Sequence, residues 1–432
     1  MTTIWKENLT RRAVLRLGVS TAALLALPGR LGRVAGAATA PHFLVTFIAD
    51  GGWDVTQVFD VHDPLDATDG IDVDVPQAIS GLPPSRVATA GGITYVSNPA
   101  TRPAADAFFA AWGARSAVVN GINTRSTSHD QSRQLVLTGY LDPTHADFAV
   151  MAAQHSGADL PLPHLLLSGD SFAGPFAGLS GRISGALGSA LAFNRIPSHT
   201  NPSERQLALS SVGEGYVERA VAAMERLDGS SAIGARLDQF TDASQRGDRL
   251  VRLASSLPRG DVGAAQLAAS LASAFRSGLS TSATVNPAGG FDTHNDNTQQ
   301  NGSWESLFGF LNDFLAGLAT EPGVASPSLL DETTIVCCSE FGRSPELNGD
   351  NGKDHHPWTS MLFVGKGVRT GVSVGLTDGH QEGVKVNFAT GRPDDAGQVI
   401  DVQNMVAGIL TLVGANPGDY LSGVRPFTAM IA

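Results

Sequence analysis

Cysteine is nearly absent from this chain: Cys337 and Cys338 are the only two in 432 residues. Being adjacent, they would point to opposite faces of a strand, which disfavours a bridge between them. With no CxxC spacing, thiolate zinc, iron–sulfur and haem patterns are missing as well. Positive charge is also scarce, with 29 Lys and Arg against 41 Asp and Glu and a formal net charge of −12. Such an acidic chain is a poor binder of nucleic acid or of an anionic membrane face. No GxGxxG follows a strand-like run, so a dinucleotide-dependent redox enzyme has no support. No apolar run reaches the roughly twenty residues needed to span a bilayer.

What is present begins with a targeting pattern. Thr10-Arg11-Arg12 followed by Ala13-Val14-Leu15-Arg16 is a twin-arginine signature, with a short apolar run from Leu17 to Pro28 and small residues from Ala35 to Ala40. We expect residues 1–40 to be a signal peptide, cleaved after Ala40 or Ala37, with the twin-arginine export machinery as partner. An amphipathic N-terminal helix is the alternative, but the run lacks polar residues at helical spacing. Residues 1–40 hold six basic residues and one acid, so their removal takes the formal charge from −12 to −17. The expected product is periplasmic or secreted, with no membrane span.

About 390 residues remain for one large α/β domain. Short runs rich in Val, Ile, Leu and Phe predict buried strands at Phe43–Ile48, Ser116–Gly121, Leu165–Ser168, Thr333–Cys338 and Thr359–Val364. Helical patterns lie between them at Thr101–Ala114, Ser132–Thr138, Asn201–Leu227, Ala232–Ser256, Ala264–Ser277 and Trp304–Ala319. Alternation of this kind predicts a mostly parallel, doubly wound sheet sandwiched by helices. The nearly all-helical stretch 198–280 reads as an insertion on the domain 41–432.

Four clusters of acid and histidine stand where strands would end, and in an open α/β sheet such ends converge on one crevice. FLVTFIADGGWD delivers Asp50 from a buried strand onto two glycines, although Asp50 could equally cap a helix. In GGFDTHNDN, Asp292 and His294 share a face of an extended segment, or else form a polar turn. TTIVCCSEFGR ends at Glu340, with Arg343 placed either to pair with it or to meet an anionic substrate. GKDHHPW is the most specific: Asp354 beside His355 and His356, stiffened by Pro357 and Trp358, with a plain polar loop as the alternative. Carboxylate and imidazole ligands of this kind suit one or two divalent ions, zinc or manganese ahead of calcium or magnesium.

The order of strand-end Asp, FDTH, SEFGR and DHH resembles an uncharacterised group of bacterial twin-arginine-exported proteins. That group is related to sulfatases and belongs to the alkaline-phosphatase-like superfamily. The resemblance implies a doubly wound α/β sandwich with a metal shell of Asp50, Asp292, His294, Glu340, Asp354 and His355. It also implies phosphoryl or sulfuryl transfer by way of a covalent intermediate. HDQSRQLVLTG (His129 to Gly139) is similar to the sulfatase signature, matching it at Ser132, Arg133, Leu137, Thr138 and Gly139. His129 stands where that signature has its modifiable cysteine, which excludes formylglycine chemistry. Ser128, beside a helix N-terminus, is the candidate nucleophile. The alternative is that this loop is only a cap and a helix, with His129 a polar or metal-shell residue.

Two functions follow as expectations. One is a metal-dependent hydrolase of phosphate or sulfate esters, acting on a small-molecule or glycan ester, with Ser128, His129, Arg133 and Arg343 as catalytic residues. The other is a non-catalytic, sulfatase-like metal-binding protein that binds a glycan or a partner.

Overall fold

Phe43–Ala49 (β1) is a run of seven buried residues whose side chains alternate between two hydrophobic layers. Phe43, Val45 and Phe47 pack on one side of it, Leu44 and Ile48 on the other. A strand buried on both faces is the mark of a sheet covered twice, and the rest of the chain supplies the covers. In this computed structural model the described residues are 41–62, 71–72, 81–183 and 262–432, with positions 216, 219, 220 and 222–224. The expected signal peptide, the helix expected over 232–256, and most of the helix expected over 201–227 and of the expected insertion lie outside them; the described positions within 201–227 are helical.

The other strands, in chain order, are Arg86–Ala90 (β2), Ile93–Ser97 (β3), Ser116–Asn123 (β4), His164–Leu166 (β5), Ser180–Arg182 (β6), Ser282–Ala288 (β7), Thr333–Cys338 (β8), Gly342–Arg343 (β9), His355–His356 (β10), Trp358–Gly365 (β11), Val372–Val374 (β12) and Ile400–Asp401 (β13). Nine of them form one sheet in the order β12-β4-β11-β8-β1-β7-β5-β6, with β13 also on β4. The helices described over their full length are Pro103–Trp112 (α1), His129–Thr138 (α2), Phe148–Gly157 (α3), Ala264–Arg276 (α4), Gln300–Thr320 (α5) and Val402–Leu412 (α6). Residues of α1, α4 and α5 build the layer under Phe47, and residues of α2, α3 and α6 the layer under Leu44. The architecture is the expected α/β sandwich with a mostly parallel sheet.

Two features of the sheet position the site. First, β11 is antiparallel to both neighbours, with Trp358 opposite Asn123 and Met361 opposite Cys338. Its beginning therefore lies at the edge where β1, β4, β7 and β8 end. The segment just before it, carrying His355 and His356, arrives among the residues that follow those strands.

Second, β7 lies between β1 and β5, yet its sequence, SATVNPA, shows no strong apolar pattern and was not expected as a strand. Register passes from Phe47–Val285 to Ala49–Ala288, so β7 carries one extra residue at Asn286-Pro287. Proline has no N–H for a ladder, and a bulge is where a sheet tolerates one. Beyond that bulge the chain turns into Phe291-Asp292.

Candidate metal centre

The loop after β1 is forced close to the loop after β7. Gly51 has φ +116°, and a Cβ on it would stand 2.5 Å from the Asp292 amide nitrogen. Only glycine permits that approach. Gly51 N–H donates to Glu340 Oε1 at 2.9 Å, which ties the ends of β1 and β8 together. Arg343, fully buried, completes the clamp. Its Nε donates to the Gly52 carbonyl at 2.8 Å and its Nη1 to the Lys353 carbonyl at 3.0 Å. Its Nη2 donates to the Gly51 carbonyl and, at 2.7 Å, to Asp292 Oδ1.

Asp292 is thus held at the centre of three histidines. Its Oδ1 lies 3.3 Å from His294 Nε2 and 3.3 Å from His355 Nε2. Its Oδ2 lies 3.5 Å from His129 Nε2. Burial works against the charged carboxyl, but Arg343 and the imidazoles beside it win and hold Asp292 down at about 2.

The remote nitrogen of each ring decides what the near one offers. His355 Nδ1 is 2.7 Å from the Thr127 carbonyl. A carbonyl only accepts, so Nδ1 carries the proton and the neutral ring keeps a lone pair at Nε2. Burial, opposed only in part by Thr127 and Asp292, pushes His355 below the usual imidazole range and favours that neutral ring. His294 Nδ1 faces Asp354 Oδ1 at 3.2 Å. Asn348 and His294 hold the Asp354 carboxyl below its usual range, so it too only accepts. The two Nε2 atoms lie 2.9 Å apart, a distance at which one N–H can donate to the other nitrogen or both can turn a lone pair toward one cation.

With both rings neutral, two lone pairs and a carboxylate oxygen would share one small space, an arrangement that a cation among them relieves. Ligands sharing a tetrahedral zinc at about 2.0 Å are themselves roughly 3.3 Å apart, which matches this spacing. A carbonyl or carboxylate behind each imidazole is the usual way a ligating histidine is oriented. The donor set fits a divalent ion.

His129, the first residue of α2, joins Asp292 and His355. Ligand atoms of His129, Asp292 and His355 all lie within 4.8 Å of one another. Its Nδ1 is 2.8 Å from Glu340 Oε1. That bond raises His129 above the usual imidazole range despite its burial. Beneath these rings lies the buried Phe341, with centroids 4.8 Å from His129 and 4.3 Å from His355.

The remaining expected site residues have other partners. Glu340 Oε1 accepts from Gly51 and faces His129, and Oε2 accepts from Ser339 Oγ at 2.9 Å. Asp50 Oδ1 accepts from Arg133 Nη2 at 2.7 Å, and Arg133 Nη1 donates to Asp170 at 2.9 Å. Arg343 pairs with Asp292, not with Glu340. Ser128 is the exposed N-cap of α2, and its side chain makes no capping bond. His356 turns away, its Nε2 3.3 Å from the Gln381 carbonyl. The short β9–β10 ladder, pairing His355 with Arg343 and His356 with Gly342, sets that alternation.

Sequence reasoning missed Asp170, although it follows a predicted strand in LLLSGD much as Asp50 follows FLVTFIA. It also missed the fully buried ion pair of Lys353 Nζ with Asp54 Oδ2, 3.0 Å apart. The Thr127 carbonyl carried no signal at all, since any residue supplies one.

Fold and cluster together define a doubly wound α/β protein with a histidine–carboxylate centre at one edge of its sheet. Residues 43–425 match the family described as "Protein of unknown function (DUF1501)", and the chain belongs to that family. Among solved structures it is similar to the integral membrane protein lipooligosaccharide phosphoethanolamine transferase A (EptA) from Neisseria meningitidis, at 9% identity and a TM-score of 0.37. That match covers 96% of this chain and 66% of the other, so the chain spans just under two thirds of that protein's length. No curated protein matches it. Among the described residues no helix is long and apolar enough to cross a membrane.

Proposed function

We propose that this protein is a twin-arginine-exported, metal-dependent hydrolase of phosphate or sulfate esters. The observation that carries the reading is the convergence of His294 Nε2, His355 Nε2 and Asp292 Oδ1 within 3.3 Å, with both Nδ1 atoms facing acceptors. In this reading Asp292, His294, His355 and His129 hold a divalent ion, zinc or manganese ahead of calcium or magnesium. Asp354, the Thr127 carbonyl and Glu340 orient the three imidazoles. This ligand set differs from the one expected from sequence, because the carboxylates of Asp50, Glu340 and Asp354 already serve Arg133, His129 and His294.

A bound divalent ion would polarise the ester and lower the pKa of a nearby hydroxyl or water. The chain's own contribution is position. Ser128 flanks His129 on one side and Thr127 on the other, and its hydroxyl is not spent on capping α2. It is the proposed nucleophile: its oxygen bonds to phosphorus or sulfur as the bond to the ester oxygen breaks, and its proton ends on the departing alcohol. Water then breaks the Ser128 O–P or O–S bond, releasing phosphate or sulfate and returning a proton to Ser128. The buried Phe341 excludes water from below the imidazoles, and Arg343 keeps Asp292 ionised and in place.

One observation favours the second reading, a non-catalytic metal-binding protein that binds a glycan or a partner. Arg343 is buried with its bonds made, and Arg133 is ringed by acids, so neither arginine is free to grip an anionic ester. Metal content and hydrolysis separate the two. Purified without chelator, the protein should carry bound zinc or manganese and cleave p-nitrophenyl phosphate, p-nitrophenyl sulfate or bis-p-nitrophenyl phosphate. Asp292→Ala with His294→Ala should empty the centre and leave a folded chain. Metal without turnover would favour the second reading, and a folded wild type that takes up no metal would sink both.

A further inference from the structure

Beside the histidine centre lies a second convergence of carboxylates, and it is already filled. Arg133 Nη2 is 2.7 Å from Asp50 Oδ1 and 3.9 Å from Glu340 Oε1. Arg133 Nη1 is 2.9 Å from Asp170 Oδ2 and 3.7 Å from Asp130 Oδ1. Asp50 follows β1, Asp170 follows β5 and Glu340 follows β8, so three strand ends send acids to one guanidinium. The two convergences share a wall, because the same Glu340 Oε1 lies 2.8 Å from His129 Nδ1. His129 Nε2 in turn reaches Asp292.

We infer that the centre is mononuclear, with the guanidinium of Arg133 standing where a second divalent cation would otherwise sit. The inference rests on the metal reading proposed above. Three carboxylates spaced around one cation would repel one another without it, and a guanidinium supplies fixed positive charge together with directed N–H donors. A metal ion there would have to displace Arg133 from Asp50 and Asp170 at once. Asp50, the acid placed most plainly at a strand end, is therefore a partner of Arg133 and not a metal ligand. After Arg133 is counted, Asp50, Asp130, Asp170 and Glu340 leave a net of three negative charges beside the histidine centre. The residual charge favours a cation in that centre and opposes a dianionic ester more than a monoanionic one.

The test is stoichiometry, read by elemental mass spectrometry after dialysis against Zn²⁺ or Mn²⁺ alone. Wild type should hold one equivalent. Arg133→Met frees the three carboxylates and should hold two, while Arg133→Lys, which keeps a cation, should stay at one. Two equivalents in wild type, or one in both wild type and Arg133→Met, would overturn the inference. No metal in wild type overturns it together with the metal reading, so the two failures are distinguishable. If Arg133→Met folds poorly, thermal unfolding supplies the second readout. Its Tm should be depressed in chelator and restored by added Mn²⁺ by a larger increment than in Arg133→Lys. Equal increments would also overturn the inference.

Discussion

Lys353→Met tests whether the first and last clusters are held together by charge. Lys353 Nζ lies 3.0 Å from Asp54 Oδ2, and both side chains are fully buried. The gross attraction at that distance is about 5 kcal/mol at an effective dielectric near 20. Asp54 also accepts from Thr56 Oγ1 at 2.6 Å and Asn297 Nδ2 at 2.7 Å, so it is locked in place and cannot turn to water. Removing the ammonium strands a buried carboxylate, which typically costs about 3–5 kcal/mol. Unfolding entropy near 2.1 cal/mol/K per residue over roughly 390 residues gives about 0.8 kcal/mol/K. The expected fall in Tm is therefore about 4–6 °C, measured by calorimetry with parallel urea unfolding.

Adding Asp54→Asn removes the stranded charge and should recover at least half of the loss. A Lys353→Met cost below about 1 kcal/mol, or a double variant no more stable than the single, would refute the reasoning. The consequence reaches the centre, since Lys353 lies two residues before His355 and its carbonyl accepts from Arg343.

Three further outcomes follow from the same geometry. Glu340→Gln should weaken zinc or manganese binding about 10–100-fold with unchanged stoichiometry, as an orienting partner does; a lost equivalent in chelator competition would instead make Glu340 a ligand. Gly51→Ala forces a Cβ to within 2.5 Å of the Asp292 nitrogen at φ +116°. It should cost about 2 kcal/mol or more and lower metal uptake, and wild-type unfolding and metal content would contradict the close approach. His42, packed against Thr334 and held down at about 4 by burial and by Lys366, titrates below its unfolded value. A histidine with a depressed folded pKa contributes stability above about 6.5 that is lost as pH falls toward 4. Wild type should lose about 2 kcal/mol from this group between pH 7 and pH 5, and His42→Phe should flatten that part of the urea-unfolding profile. An equal slope in both proteins would remove His42 from the account.

Strand and helix placement was largely legible wherever one residue's neighbours carry the information. Phe43–Ala49, Thr333–Cys338 and Trp358–Gly365 are apolar runs of strand length, and the structure places strands there. The helices Pro103–Trp112 and Ala264–Arg276 fall where their periodicity put them. Helix α3 was not legible because FAVMAAQHSG is buried over most of its length and shows little polar contrast. Strand β7 escaped because its residues are small and one is proline.

The histidines and acids of the centre were visible as types at strand ends, and so was the order of the four clusters. Which of them meet was decided only in the folded chain. The antiparallel run of β11 brings His355 to Asp292, and the β9–β10 register sends His356 the other way. Arg133, one helical turn beyond His129, claims Asp50 from a strand end 83 residues away in sequence. Periodicity is a property of neighbours along the chain, whereas ligation and ion pairing are settled by distances of a few ångströms between segments that the chain order leaves far apart.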